Sequence, residues 1–212
     1  MQGPRKDCLG TWEASQTVPS RSLSPLQVGL FFTLVIALAI GTGMLFRDHP
    51  ALKFLRPILL EASVYSILAL PLAYLFSPRT FTMRHWHLPI GSLKWIVLIA
   101  ALQLATVYMQ PYPIPVNPYM AFGALITAPL VEEVVRAVMI CPLVERWGPL
   151  WAVATTTILF TLIHPDPIRI FAGQVALAVL FLYSDCSILV CAIAHSLMNA
   201  VAIWHSGISP AS

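Results

Sequence analysis

The stretch TAPLVEEVVRAVMI, residues 127–140, places two carboxylates and one guanidinium in a segment that is otherwise apolar. A charged side chain at the centre of a bilayer costs about 2.5–3.5 kcal/mol on insertion scales, so an ionisable residue at that depth is a functional candidate. The charges of Glu132, Glu133 and Arg136 therefore need a common explanation, and the first question is whether the whole chain belongs in a membrane.

The composition indicates an integral membrane protein. Of the 212 residues, 58% are hydrophobic and only 10% are charged, whereas about a quarter of a soluble domain is charged. The expected partner is membrane lipid, together with whatever substrate the lipid presents. The net charge of +3 comes from 12 Lys and Arg residues scattered in short loops, so nucleic acid is not an expected partner. The four cysteines match neither a disulfide framework nor a zinc site, and they are assigned no role.

The apolar runs predict an all-α fold, a polytopic transmembrane helical bundle of about seven spans. The predicted spans are 26–46, 58–76, 93–110, 119–143, 149–164, 168–184 and 187–205. The polar residues 1–25 are expected to form a disordered tail, and 26–206 a single transmembrane helical domain with a motif-bearing core at 119–204. A cleaved signal peptide is the alternative for the first run, although its length of about 20 residues favours a span. A mild excess of Lys and Arg favours a cytoplasmic N-terminus.

Helical spacing assigns roles to the charges in the opening stretch. Residues three or four apart share a helix face, so Arg136 could hold either Glu132 or Glu133. Adjacent carboxylates point about 100° apart and cannot both aim at one point. We expect one to face a reaction centre and the other to be an orienting partner. Pro129 removes a backbone hydrogen bond to the carbonyl of Leu125, which predicts a kink and a free polar acceptor near the site.

Two further helices present polar faces of the same kind. FTLIH sets Phe160 and His164 four residues apart, and HSLMN does the same for His195 and Asn199. If the three faces converge, they enclose a small wet cavity within the bilayer. Each group alone has a plainer explanation: an ion pair for the charges, packing for Phe160 and the histidines, and interhelical hydrogen bonding for Asn199, as also for Glu61 and Gln174. Five costly groups on three helices are poorly explained as independent accidents.

Such a cavity is suited to peptide-bond hydrolysis. The reaction needs a base for water and donors where negative charge grows on the carbonyl oxygen. Glu132 is the candidate base with His164 positioning the water, while His195 and Asn199 are candidate oxyanion donors. No Ser or Cys nucleophile is required. The HExxH zinc signature is absent, although Glu132, His164 and His195 could in principle bind a metal together.

The ordered set EEVVR (132–136), FTLIH (160–164) and HSLMN (195–199) resembles the CPBP family of intramembrane glutamic endopeptidases. That family contains the CAAX prenyl endopeptidases and bacterial bacteriocin-processing or immunity-type members. The resemblance covers roughly 119–204 and includes Gly173 before the last motif. It implies that Glu132 and His164 activate water, that His195 and Asn199 stabilise the oxyanion, and that Glu133 and Arg136 have a supporting, orienting role.

The sequence thus predicts an intramembrane endopeptidase that hydrolyses a peptide bond of a membrane-anchored or lipid-associated protein. No cofactor is expected, and zinc stays open as an alternative. The short chain with small loops suits a compact bacterial member in the cytoplasmic membrane. Two other functions stay open: a proton-coupled transporter in which Glu132 and the histidines relay protons, and a non-catalytic immunity or scaffold protein. The sequence does not indicate the substrate, its prenylation or the leaflet toward which the site opens.

Overall fold

The chain forms helices throughout the described residues of a computed structural model. These residues are 23–47, 65–108, 121, 123–164 and 167–206. Every regular element within them is helical, which confirms the all-α class. Most of the predicted N-terminal tail, at 1–22, and the polar residue Glu61 lie outside the described ranges.

The helices follow the predicted apolar runs closely. The α-helices are α1 (Pro25–Arg47), α2 (Tyr65–Phe76), α3 (Leu93–Tyr108), α4 (Ala128–Leu162), α5 (Pro167–Tyr183) and α6 (Ile188–Ser206). Three short 3-10 turns lie between α2 and α3, at Pro78–Phe81, Met83–His85 and Ile90–Ser92. A π-helical turn, Gly123–Thr127, leads directly into α4.

Helix α4 is two helices joined at a break. Gly148 has φ +80° and ψ 168°, a backbone conformation that glycine adopts without the strain a Cβ would bring. Pro149 follows at the first position of the next helical segment, where a proline loses no hydrogen bond. We call the two segments α4a (128–147) and α4b (149–162). They correspond to the predicted spans 119–143 and 149–164.

The predicted count of seven spans is not confirmed. Within the described residues, one helix, Ile188–Ser206, is long and apolar enough to cross a bilayer by length and composition. The shorter apolar stretches are Pro25–Gly41, Ile90–Ala105 and Ile170–Tyr183. The arm α4b is short for a span, because 149–162 rises about 21 Å at 1.5 Å per residue, less than the roughly 30 Å of hydrocarbon.

Helix α4 lies at the centre of the bundle. Helices α1, α2, α5 and α6 all contact it, and α3 packs along α6. Four valines of α4a, Val131, Val134, Val135 and Val138, are buried. Because well-packed interiors leave side chains little freedom, the polar groups between these valines are held in fixed positions.

The start of α6 is fixed by the segment that follows α2. Asp185 and Cys186, in the turn between α5 and α6, have φ of 55° and 59°, a region that few residues other than glycine occupy. Nδ1 of His85 lies 2.9 Å from the carbonyl oxygen of Cys186, and the hydroxyl of Ser187 donates to the carbonyl of His87. These bonds hold the turn from which α6 carries its polar face into the bundle.

Candidate active site

Glu133 and Arg136 form an ion pair in the core of α4a. Nε of Arg136 lies 2.9 Å from Oε2 of Glu133, and Nη2 lies 3.3 Å from Oε1, so the guanidinium donates twice to one carboxylate. Both side chains are completely buried. Glu133 is therefore the carboxylate that the arginine holds, and Glu132 is left to face elsewhere.

The remaining surface of the Arg136 guanidinium is covered by two other helices. Nη2 donates to Oε1 of Gln174 on α5 at 2.5 Å. The guanidinium carbon lies 4.3 Å from the centroid of the Phe160 ring on α4b, within the range of a cation–π contact. Gln174 makes the interhelical hydrogen bond expected of it, and Phe160 is a partner of a charge as well as a packing residue.

His195 is oriented by the same carboxylate. Its Nδ1 lies 3.0 Å from Oε1 of Glu133. Since an ionised carboxylate only accepts hydrogen bonds, the proton lies on Nδ1 and the ring turns Nε2 away from Glu133. Nε2 faces Glu132, 4.0 Å from its Oε2.

His164 reaches the same oxygen from the other side. It follows the end of α4b, and its Nδ1 lies 2.6 Å from the carbonyl oxygen of Phe160. A carbonyl oxygen only accepts hydrogen bonds, so Nδ1 carries the proton here too. Nε2 of His164 lies 4.0 Å from Oε2 of Glu132.

Glu132 thus lies between two imidazole nitrogens without touching either. Its Oε2 is buried and has no hydrogen-bond partner among the described residues. The side chain is 16% exposed, against 27% for His164 and 8% for His195. A separation of 4.0 Å is too long for a direct hydrogen bond. It is a separation at which two groups can each bond to the same water molecule.

Asn199 lies one turn beyond His195 and binds the entrance of α4. Its Nδ2 donates to the carbonyl oxygen of Ala124 at 2.7 Å. Ala124 lies in the π turn, where a carbonyl pairs with the N–H five residues later. That residue is Pro129, which has no N–H. From α-helical spacing, the sequence predicted that the carbonyl of Leu125 would be the free acceptor near the site. In the structure, the carbonyl that accepts a hydrogen bond from a site side chain is that of Ala124, one residue earlier.

The three predicted faces therefore meet. The structure brings together the four residues assigned to catalysis, Glu132, His164, His195 and Asn199, and the three assigned to support, Glu133, Arg136 and Phe160. Sequence reasoning anticipated interhelical hydrogen bonds for Gln174 and Asn199 but not their partners, which are Arg136 and the backbone carbonyl of Ala124. Every residue has a main-chain carbonyl, so residue type does not reveal which one accepts a hydrogen bond. Pro129 was the one feature of the sequence that indicated it.

The described part of the chain holds no group of three or more His, Cys, Asp or Glu side chains disposed to bind one metal ion. Ligands of tetrahedral zinc lie about 3.4 Å from one another when each bond is about 2.0–2.1 Å. The two 4.0 Å separations at Glu132 are longer. That the protein works without a metal stays a prediction.

A family model, type II CAAX prenyl endopeptidase Rce1-like, matches residues 114–201. This part of the chain, less than half of its length, is similar to the Rce1-like family. This match confirms the resemblance noted from EEVVR, FTLIH and HSLMN, because all three motifs lie inside the matched range. No curated protein and no solved structure matched the chain.

The matched region comprises α4, α5 and most of α6, together with the π turn before them. The family that it resembles is described as type II CAAX prenyl endopeptidases. Every side chain of the site described above lies in the matched region, so α1, α2 and α3 contribute packing around it.

Proposed function

We propose that the protein is an intramembrane endopeptidase in which Glu132 deprotonates the attacking water. The observation that supports this most directly is the position of Glu132 Oε2. It is buried, has no hydrogen-bond partner in the described structure and lies 4.0 Å from Nε2 of both His164 and His195. One water molecule bonded to that oxygen would also be within reach of the imidazoles.

His164 fits the role of orienting the water. With its proton held on Nδ1 by the Phe160 carbonyl, the neutral ring has a lone pair on Nε2. The water would donate one hydrogen to Glu132 and the other to His164, which directs an oxygen lone pair toward the substrate carbonyl. The water proton is assigned to Glu132 because its Oε2 lies between the two imidazoles and has no other hydrogen-bond partner in the described structure.

His195 and Asn199 fit the role of oxyanion donors. Because Nδ1 of His195 is bonded to Glu133, Nε2 becomes a donor only when the ring carries a second proton. We propose that the ring carries this second proton during the reaction, with the carboxylates of Glu133 and Glu132 beside it. Asn199 donates one amide hydrogen to Ala124, and its second hydrogen is available for the oxyanion.

The proposed reaction has two steps. In the first, the water oxygen bonds to the carbonyl carbon, its proton passes to Glu132, and the carbonyl electron pair moves onto the oxygen beside His195 and Asn199. In the second, that pair returns, the C–N bond breaks, and Glu132 gives its proton to the departing nitrogen. The products are a carboxylic acid, which keeps the second proton of the water until it ionises in solution, and an amine, and Glu132 ends ionised as it began.

The proposed substrate class is supported by the matched family and by the burial of the site among the helices. We propose a peptide anchored in the membrane close to the bond that is cut, because such an anchor brings the bond to a site built within the helices. A farnesylated peptide ending in a CAAX sequence is the first probe, and the same peptide without the lipid tests whether the anchor matters.

The test is cleavage of the farnesylated CAAX peptide by full-length protein in lipid vesicles, followed by mass spectrometry. Glu132→Gln keeps the size of the side chain and removes the base, so we expect the fragment to disappear. Glu145→Gln is the matched control, because Glu145 lies on the same helix and is exposed. Cleavage at the wild-type rate by Glu132→Gln would overturn the proposal, as would equal loss in both variants.

A further inference from the structure

The buried polar atoms that lack a hydrogen-bond partner concentrate on the two arms of α4 and the turn before it. Among the described residues they include Oγ1 of Thr127, Oε2 of Glu132, Nη1 of Arg136, and Oγ1 of Thr157 and Thr161. Buried polar groups in proteins are nearly always bonded, to protein or to ordered water. The free-energy cost of a polar group without a hydrogen bond is higher still within a membrane. We therefore expect these clustered atoms to have a hydrogen-bond partner.

Two of these atoms belong to threonines on one side of α4b. Thr157 and Thr161 are four residues apart and therefore share a face. Both residues are buried, at 1% and 6% exposure. Thr156 provides the contrast within the same arm: it is fully buried, and its hydroxyl donates to the helix carbonyl of Ala152 at 2.8 Å. Burial alone therefore does not explain two hydroxyls without partners.

The face that Thr157 and Thr161 share leads to His164. The backbone N–H of His164 donates to the carbonyl of Thr161 at 3.2 Å, the i to i+3 bond of a 3-10 turn. In such a turn, side chains three residues apart eclipse one another. The Thr161 side chain is thereby placed on the same line as the His164 side chain. Neighbouring side chains on one helix face have Cβ atoms about 5–6 Å apart, close enough for one water to bond to both.

The position of the threonines relative to the catalytic groups follows from two contacts between the arms. Glu132 meets His164 at 4.0 Å, and one turn deeper the Arg136 guanidinium meets the Phe160 ring at 4.3 Å. Thr161 therefore lies between these two levels. Thr157 lies one turn beyond Thr161, on the side of the α4 break.

We propose that Thr157 and Thr161 bind a row of buried water molecules that extends from His164 along α4b. In this arrangement Thr161 is a positioning residue: its hydroxyl holds the water next to the one that Glu132 activates, and Thr157 holds the next. The ligand is water, and the row restores the nucleophile after each turnover. The part of this inference that concerns turnover rests on the proposed function, whereas the binding of water does not.

The first test is an experimental structure of the wild-type, full-length protein in lipid, at a resolution that shows ordered water. We expect a water oxygen within hydrogen-bond distance of Oγ1 of both Thr157 and Thr161, and none at Oγ1 of Thr156. Dry hydroxyls at 157 and 161, or hydroxyls bonded back to helix carbonyls, would overturn the proposal. This measurement uses no variant and no substrate.

The second test is kinetic, with the farnesylated CAAX peptide. For Thr161→Val we expect kcat to fall about tenfold, which corresponds to about 1.4 kcal/mol, with KM unchanged. Thr161→Ser keeps the hydroxyl and should restore the rate, and Thr156→Val should match wild type. Equal rates for Thr161→Val and Thr156→Val would remove the positioning role.

The two proposals fail separately. If Glu132→Gln still cleaves the peptide, the proposed function is wrong. Water observed at Thr157 and Thr161 would then still show a hydrated cavity. If Glu132→Gln is inactive and both hydroxyls are dry, the row of water is lost and the function stands.

Discussion

Nδ1 of His195 lies 3.0 Å from Oε1 of Glu133, the same oxygen that accepts from Nη2 of Arg136. One buried carboxylate therefore connects α6 to α4a, and through Arg136 and Gln174 to α5. This arrangement fixes the direction of the His195 ring, so that Nε2 faces Glu132. The helices are bound together by the group that orients the site, and folding and chemistry depend on the same contact.

The adjacent glutamates should differ sharply in their effect on stability. Glu133→Gln leaves the buried guanidinium of Arg136 without its charge partner, and breaking a buried ion pair costs about 3–5 kcal/mol. Glu132→Gln removes no hydrogen bond within the described structure. In thermal unfolding in detergent, we expect a large fall in Tm for Glu133→Gln and almost none for Glu132→Gln. A similar fall in both would mean that Glu132 has a structural partner.

Replacing Pro129 by a residue with a backbone N–H should create a second donor for the Ala124 carbonyl, in competition with Asn199. Pro129→Ala supplies a donor five residues after Ala124, where a π-helical hydrogen bond forms. We expect this donor to weaken the bond from Asn199, lowering kcat severalfold on the farnesylated peptide while the protein stays folded. Asn199→Asp, which replaces the donor by an acceptor facing a carbonyl, should abolish activity.

The control for this pair is Pro142→Ala, since Pro142 is buried in α4a and has no role in the site. It should change stability without a selective loss of kcat. If Pro129→Ala and Pro142→Ala have equal kinetics, the carbonyl of Ala124 does not position Asn199.

A small residue at position 173 should be required for the close approach of α5 to α6. A Cβ built on Gly173 would lie 2.6 Å from Cε of Met198, the residue before Asn199. Because that methyl group ends a flexible side chain, Gly173→Ala should have a small effect, within about 1 kcal/mol. Gly173→Val should lower both Tm and kcat, because a branched side chain forces α6 to move.

Met198→Ala provides the compensating change. Removing the long side chain opens space beside Gly173, so the double variant Gly173→Val with Met198→Ala should recover part of the loss. Strictly additive effects on Tm would show that the two positions do not interact.

Much of this site could be predicted from the sequence, because helical periodicity translates directly into shared faces. The spacing in FTLIH and HSLMN placed Phe160 with His164 and His195 with Asn199 on single helix faces, and the structure shows that both histidines meet the glutamates. The spacing left open which glutamate Arg136 holds, since both lie within its reach, and only packing decides for Glu133. The bond of Asn199 to the Ala124 carbonyl depends on a π turn, a departure from α-helical spacing that no periodicity argument anticipates.

The number of spans was harder to predict for a different reason. An apolar run occurs both in helices buried in a protein core and in helices exposed to lipid. The sequence pattern therefore does not distinguish a core helix from a membrane helix. The break at Gly148 divides α4 into arms whose second member is too short to cross the hydrocarbon unaided. The predicted spans 119–143 and 149–164 placed a boundary next to this break, whereas hydropathy gave no measure of how each arm lies in the bilayer.

Peptide cleavage should survive removal of metal. Both imidazoles turn Nε2 toward Glu132, an arrangement that zinc ligands also use. The dependence of activity on metal should therefore be measured directly. The 4.0 Å separations at Oε2 of Glu132 suit a shared water better than a shared zinc ion, whose ligands lie closer together. We expect the rate with the farnesylated peptide to be unchanged after treatment with a strong zinc chelator and dialysis. Loss of activity that added zinc restores would replace the glutamate-base mechanism by one in which Glu132, His164 and His195 hold the metal.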